Sequence, residues 1–176
     1  MPTPLSRLGL HYFPDTLHYR QEDLKQWLPV WQDLRISWLV LYATTRFSIP
    51  EAFLNTLVDH AIQPVIHIHS PLDPPASISD FSLQFKTYTR WGVRHIVLFD
   101  RPNMKQSWTQ SEWVRASPVN RFLDIWIPRA EAALQAGLLP VLPPLEPGGD
   151  YWDTVFLQGI LHGLQQRKQH HQIQQL

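Results

Sequence analysis

The sequence predicts an α/β fold: an incomplete (β/α) TIM-like barrel of five parallel strands with outer helices. Three observations carry this. Five short apolar runs have strand length, an amphipathic helical segment follows each of them, and the strands start near residues 8, 37, 64, 94 and 138. Alternating βα units argue for a parallel sheet. The first three steps, of about 30 residues, suit the ~250 residues of an eight-unit barrel, and the fourth is longer because residues 100 to 117 form an extended loop. A doubly wound open sheet shares the alternation. However, His11-Tyr12-Phe13-Pro14-Asp15 stands where a glycine-rich turn would follow the first strand, so the barrel is preferred.

The strand runs are Leu8–Phe13, Ser37–Tyr42, Pro64–His69, Arg94–Phe99 and Leu138–Leu142. Each is a short, nearly continuous apolar stretch, as buried parallel strands require. The first helix reads over Glu22–Leu34, where Leu24, Trp27, Leu28, Trp31 and Leu34 form one apolar stripe. Ser48-Ile49-Pro50-Glu51 has the pattern of a capping box for the second. The third is expected over Ser79–Trp91, with Phe81, Phe85 and Tyr88 inward. Ser117-Pro118 opens the fourth and Gly137 stops it. Asp150 is the expected cap of the fifth, which carries Trp152, Phe156, Ile160 and Leu164. The chain divides into a partial barrel domain, 1–165, and a polar Gln/His-rich tail, 166–176.

Composition narrows the function. Fifteen basic residues balance fifteen acidic ones, which removes the usual electrostatic case for nucleic acid or an anionic membrane. Without cysteine there is no disulfide, thiolate nucleophile or Cys-ligated zinc. No apolar run approaches the ~20 residues of a spanning helix, and the start lacks the apolar core of a secretory signal. The expectation is a cytoplasmic globular chain. Five units are three short of a closed barrel, so the first and fifth strands should leave long unpaired edges. Self-association or a complementing chain follows from that.

Sites in βα folds gather at the carboxyl ends of the strands. There, Val97-Leu98-Phe99-Asp100-Arg101-Pro102-Asn103 resembles the fourth-strand signature of clan A glycoside hydrolases, which ends in Asn-Glu-Pro, often followed by Asn. Trp91-Gly92-Val93-Arg94 leading in, Gly9-Leu10-His11-Tyr12 and Pro147-Gly148-Gly149-Asp150-Tyr151-Trp152-Asp153 also resemble that family. The likeness covers about residues 8 to 165 and implies a carbohydrate ligand. Pro102 and Asn103 match, but Asp100 stands at the family's Asn and Arg101 at its Glu acid/base. A retaining glycosidase needs two carboxyls about 5–5.5 Å apart, and a guanidinium cannot give up a proton near neutral pH. The family's nucleophile belongs to a seventh strand, beyond these five units. The resemblance therefore implies a glycoside hydrolase-like protein, catalytically impaired or a fragment of a full barrel, with Asp100 and Arg101 as a degenerate acid/base position.

Arg101 has two readings: a salt bridge to Asp100, Glu146 or Asp150 closing the mouth, or a grip on a substrate carboxylate or phosphate. His67 and His69 share one side of the third strand and would approach His11 if that side faces inward. Imidazole-to-hydroxyl contact with a sugar suits the resemblance. The alternative is a metal-dependent hydrolase built on His11, His67 and His69. Trp108, Trp113 and Tyr151 would stack on sugar rings or plug the mouth, while Trp152 reads as packed inside a helix and Trp27, Trp31 and Trp38 as core. The substrate-binding set is His11, His67, His69, Asn103, Trp108 and Trp113, with no cofactor. A non-catalytic carbohydrate-binding or scaffold module is the remaining alternative.

Overall fold

A computed structural model describes residues 8–109, 113 and 117–167. Its five strands are β1 (Gly9–His11), β2 (Trp38–Thr44), β3 (Gln63–His69), β4 (His95–Leu98) and β5 (Leu139–Val141). They pair in parallel in the order β1-β2-β3-β4-β5. Between and after them run α1 (Gln21–Asp33), α2 (Glu51–Asp59), α3 (Ile78–Arg90), α4 (Pro118–Gln135) and α5 (Asp153–Gln166). The sheet is open, and the tail from 168 onward lies outside the described residues. Sequential order with right-handed crossovers puts the helices on a single face, which is the incomplete barrel arrangement and not a doubly wound one.

Burial follows from that one-sidedness. Leu39, Leu41, Ala43, Ile66, Ile68, Ile96 and Leu98 point to the helices and are buried. They meet Phe81, Phe85 and Tyr88 of α3, Phe122 and Trp126 of α4, and Phe156 and Ile160 of α5 in one core. The alternate residues face the inner side in registered rows. His11, Val40, Val65, His95 and Leu139 form one row, and Tyr42, His67, Val97 and Val141 the next. Thr44 and His69 begin a third. Trp38, expected in the core, is on this inner face, half-buried with its ring edge-on to His95 at 5.0 Å.

The expected long edges are not there. Both outer strands have three residues. Leu139 donates its N–H to Arg94 O, so the nitrogen of Pro140 faces the free edge. A proline there removes a donor from the one side that no strand covers, and short edges of this kind resist further pairing.

Two helix starts differ from the sequence reading. Pro50 takes the cap position of α2, so Ser48 is too early to form a capping box, and its Oγ instead accepts a bond from Gln84 Nε2 at 3.2 Å. In α3 the box forms between Ser77 and Asp80. Asp150 does not cap α5. It accepts the Lys105 N–H at 2.9 Å, the helix begins at Asp153, and Trp152 is at its cap position, 64% exposed rather than packed within the helix.

Four helices close in the same way. Ile36 donates to Trp31 O, Ile62 to Leu57 O, Val93 to Tyr88 O and Leu138 to Ala133 O. Each bond spans five residues and follows a left-handed residue: Arg35 (φ 53°), Ala61 (φ 59°), Gly92 (φ 80°) or Gly137 (φ 90°). This is the Schellman closure, where glycine is the usual occupant. A Cβ in the left-handed region costs about 1–2 kcal/mol. Ala61→Gly should therefore raise stability by about 0.5–1 kcal/mol, after the unfolded-state entropy that glycine adds. Urea midpoints of the two proteins at equal slope check this, and a lower midpoint for the glycine variant would contradict it.

Candidate functional site at the carboxyl ends of β3 and β4

The site begins with a turn in the backbone. After Leu98, alternation would send the Phe99 side chain to the inner face. Phe99 instead has φ 71°, which carries its ring into the helix layer, 6.5 Å from the rings of Phe81 and Phe122. The Arg129 guanidinium stands 5.9 Å from both the Phe81 and Phe99 rings and is tied to Ile125 O and Ala76 O. Bulky residues at positive φ are outliers that cost about 1–3 kcal/mol and cluster at functional positions. Arg101, two residues on, is also left-handed at φ 40°.

This turn orients a histidine. His67 is 5% exposed, and its Nε2 lies 2.6 Å from the Phe99 carbonyl oxygen. A carbonyl only accepts, so Nε2 carries the proton and Nδ1 holds the bare lone pair. His69 lies beside it, ring centroids 4.1 Å apart and planes tilted by 43°, and Tyr42 also approaches the His69 ring at 4.4 Å. Burial lowers the basicity of His67 against the support of the Phe99 carbonyl. Burial, then the neighbouring His67, drives the pKa of His69 to about 4, with Asp100 opposing.

His11 is exposed and outside the cluster, although its imidazole is near enough to lower the pKa of His67. It shares a row with Val40 and Val65, one row below His67 and two strands away, about 10 Å across the sheet. It lines a separate aromatic recess with Tyr12, Phe13, Trp27 and Trp31. Asp100 takes the place expected for it. Donor atoms of His67, His69 and Asp100 all lie within 4.8 Å of one another, the one such group among the described residues.

Arg101 makes the salt bridges of its structural reading. Its Nε donates to Asp100 Oδ2 at 2.9 Å and its Nη1 to Glu146 Oε2 at 3.3 Å, and these carboxylates strengthen its hold on its proton. Asn103 is fully buried and clasps the loop after β5. Its Nδ2 donates to Glu146 O and Tyr151 O, and its Oδ1 accepts from the Glu146 N–H. The approach is close enough that a Cβ at Gly149 would stand 2.6 Å from Asn103 Nδ2. Trp108 is 7% exposed, with its indole N–H on Pro102 O at 2.8 Å. Trp113 and Tyr151 are half-buried against the core.

Beside these groups lies a cleft of about 430 Å³, lined by Ser70, Asp73, Asp100, Gln106, Ser107, Thr109 and apolar neighbours including Trp108. That size falls within the range of small-molecule sites. Asp73 accepts a hydrogen bond from Thr109 Oγ1 across it. Sequence reasoning reached Asp100, His67 and His69, but not their grouping. It named no role for Tyr42, Asp73 or Thr109, which belong to no spacing motif. Asp73 carried only a positional signal, in the loop that follows the carboxyl end of β3.

Neither a protein-family model nor a curated protein matches this chain. The arrangement itself is what the functional reading must rest on.

The histidines make stability depend on pH. His95, on the inner face, is also shifted down by burial and by Arg94. For His67, His69 and His95 the folded pKa lies below the unfolded value of about 6.5, so the unfolded chain binds more protons. Stability should be intact above pH 6.5 and decline as pH falls toward the His69 value of about 4. Urea midpoints between pH 7.5 and 4.5 should trace that fall, with a shallower slope in His95→Gln. A flat profile across this window would contradict the assignment.

Proposed function

We propose that this is a glycoside hydrolase-like, cytoplasmic protein that holds a carbohydrate in the cleft at the carboxyl ends of β3 and β4 without hydrolysing it by the paired-carboxylate route. The observation that carries the reading is the clamp at the mouth: Asp100 and Glu146 both bind the Arg101 guanidinium. A paired-carboxylate glycosidase needs two carboxyls free to face the glycosidic bond, and here both are engaged by one guanidinium through Asp100 Oδ2 and Glu146 Oε2. The polar lining of Ser70, Asp73, Gln106, Ser107 and Thr109 supplies the acceptors and donors that sugar hydroxyls need. No helix among the described residues is long and apolar enough to cross a membrane.

Activated aryl glycosides test the inactive half, because their leaving groups need little acid assistance. No aglycone release is expected from the full chain, nor from the double variant Asp100→Asn with Arg101→Glu. Turnover abolished by Arg101→Ala would overturn the reading. Calorimetry with a panel of oligosaccharides tests the binding half. Asp73→Ala should weaken a bound sugar about tenfold or more, the value of a hydrogen bond to a charged group. No binding across the panel would reject it.

The same proposal extends to assembly. Trp38, Val40, Val65, Leu139 and Val141 leave the inner face half-exposed and largely apolar, so a second copy or a complementing chain should cover it. Sedimentation at micromolar concentration should show a dimer or larger species. A cooperative monomer would refute this part and leave the cleft reading intact.

A further inference from the structure

The geometry points to a divalent transition-metal site formed by His67 Nδ1, one imidazole nitrogen of His69 and one carboxylate oxygen of Asp100. Two nitrogens and one oxygen suit a borderline cation such as Zn²⁺ or Co²⁺. Three protein ligands leave coordination positions open, and Asp100 also lines the 430 Å³ cleft, so the open side borders space where a ligand can sit.

Each donor is already oriented. The Phe99 carbonyl takes the Nε2 proton of His67 at 2.6 Å, which leaves Nδ1 as the ligating nitrogen. Metal-bound histidines characteristically donate their other N–H to a carbonyl or carboxylate in this way. Tyr42 and His67 both contact the His69 ring. Asp100 gives Oδ2 to Arg101, so Oδ1 remains for a cation. Arg101 does not spoil the charge balance, because Asp100 and Glu146 together exceed its single positive charge.

One ligand atom from each of the three residues lies within 4.8 Å of the others, and ligands of a tetrahedral ion with bonds of about 2.0–2.1 Å stand roughly 3.3 Å apart, so the side chains must draw together around an ion. The half-exposed His69 and Asp100 have room for it, whereas buried His67 is the fixed point. The strained turn at Phe99 is an independent sign of function here, because it aims both the carbonyl that sets His67 and the carboxylate that completes the set.

The full chain, stripped with a chelator and dialysed, is titrated with Co²⁺ and then Zn²⁺. The expected result is one Co²⁺ per chain with the visible absorption of a low-coordinate N/O site, displaced by Zn²⁺. Binding should raise the melting temperature, as any ligand of the native state does. His69→Ala and Asp100→Asn should each weaken Co²⁺ at least tenfold and abolish that rise. Both residues are only partly buried, at the rim of the sheet, so the metal-free variants should keep the wild-type circular dichroism. His11→Gln and the tail variant His170→Ala with His171→Ala should bind as wild type. No stoichiometric binding at micromolar Co²⁺, binding untouched by His69→Ala and Asp100→Asn, or binding lost with the tail histidines would each overturn the site. Sugar binding by the metal-free chain would leave the carbohydrate reading standing whatever the outcome of the Co²⁺ titration.

Discussion

One residue held in the left-handed region organises the carboxyl end of this sheet. At Phe99 the chain leaves β4 with its ring turned into the helix layer and its carbonyl turned toward β3. Had the strand simply continued, a phenyl ring would lie beside His69 and Asp100 would point to the helices. The conformation is unfavourable locally and must be held by its surroundings. Phe81 and Phe122 receive the ring, and Arg129 covers it from the side. Core packing and site geometry are therefore linked through a single backbone angle.

Arg129 shows how this link is secured. It is a buried cation without a carboxylate partner among the contacts described, held by the carbonyls of Ile125 and Ala76 and by two aromatic faces, with its Nε unpartnered. Burial alone pulls its pKa down. It ties α4 to the loop before α3, and so fixes the two helices between which the Phe99 ring must fit. The clamp on the opposite side of the strand, Asp100–Arg101–Glu146, fixes the exit of β4 against the loop after β5.

The fold was legible in the sequence because its signals were local and repeated. Strand-length apolar runs alternating with amphipathic helices pointed to the parallel order, and Gly137 marked a helix end that proved to be left-handed. Ser117-Pro118 likewise marked the start of α4. The misreadings were cases where a nearby residue competed: Pro50 displaced Ser48 at a cap, and Lys105 drew Asp150 away from one. The site was legible only in part. His67 and His69 share a face by strand periodicity alone, but which third group joins them depends on register and on the Phe99 turn. Neither is written in a spacing motif, so His11 was grouped with them although it acts on His67 only at a distance, and Asp100 was read only against a catalytic pattern that it does not match.

The joints between helix and strand carry a consequence for how such a chain can change. After each of α1 to α4, one left-handed residue and one five-residue bond return the chain to the sheet, whatever side chains surround it. The joints are thus of one gauge, and each unit meets its neighbours through the same coupling. A unit can be duplicated, lost or exchanged at these points without a new backbone solution being invented for the junction. Interchangeability is built into the helix ends, while individuality is confined to the opposite rim, where β4 turns at Phe99 and no two loops are alike.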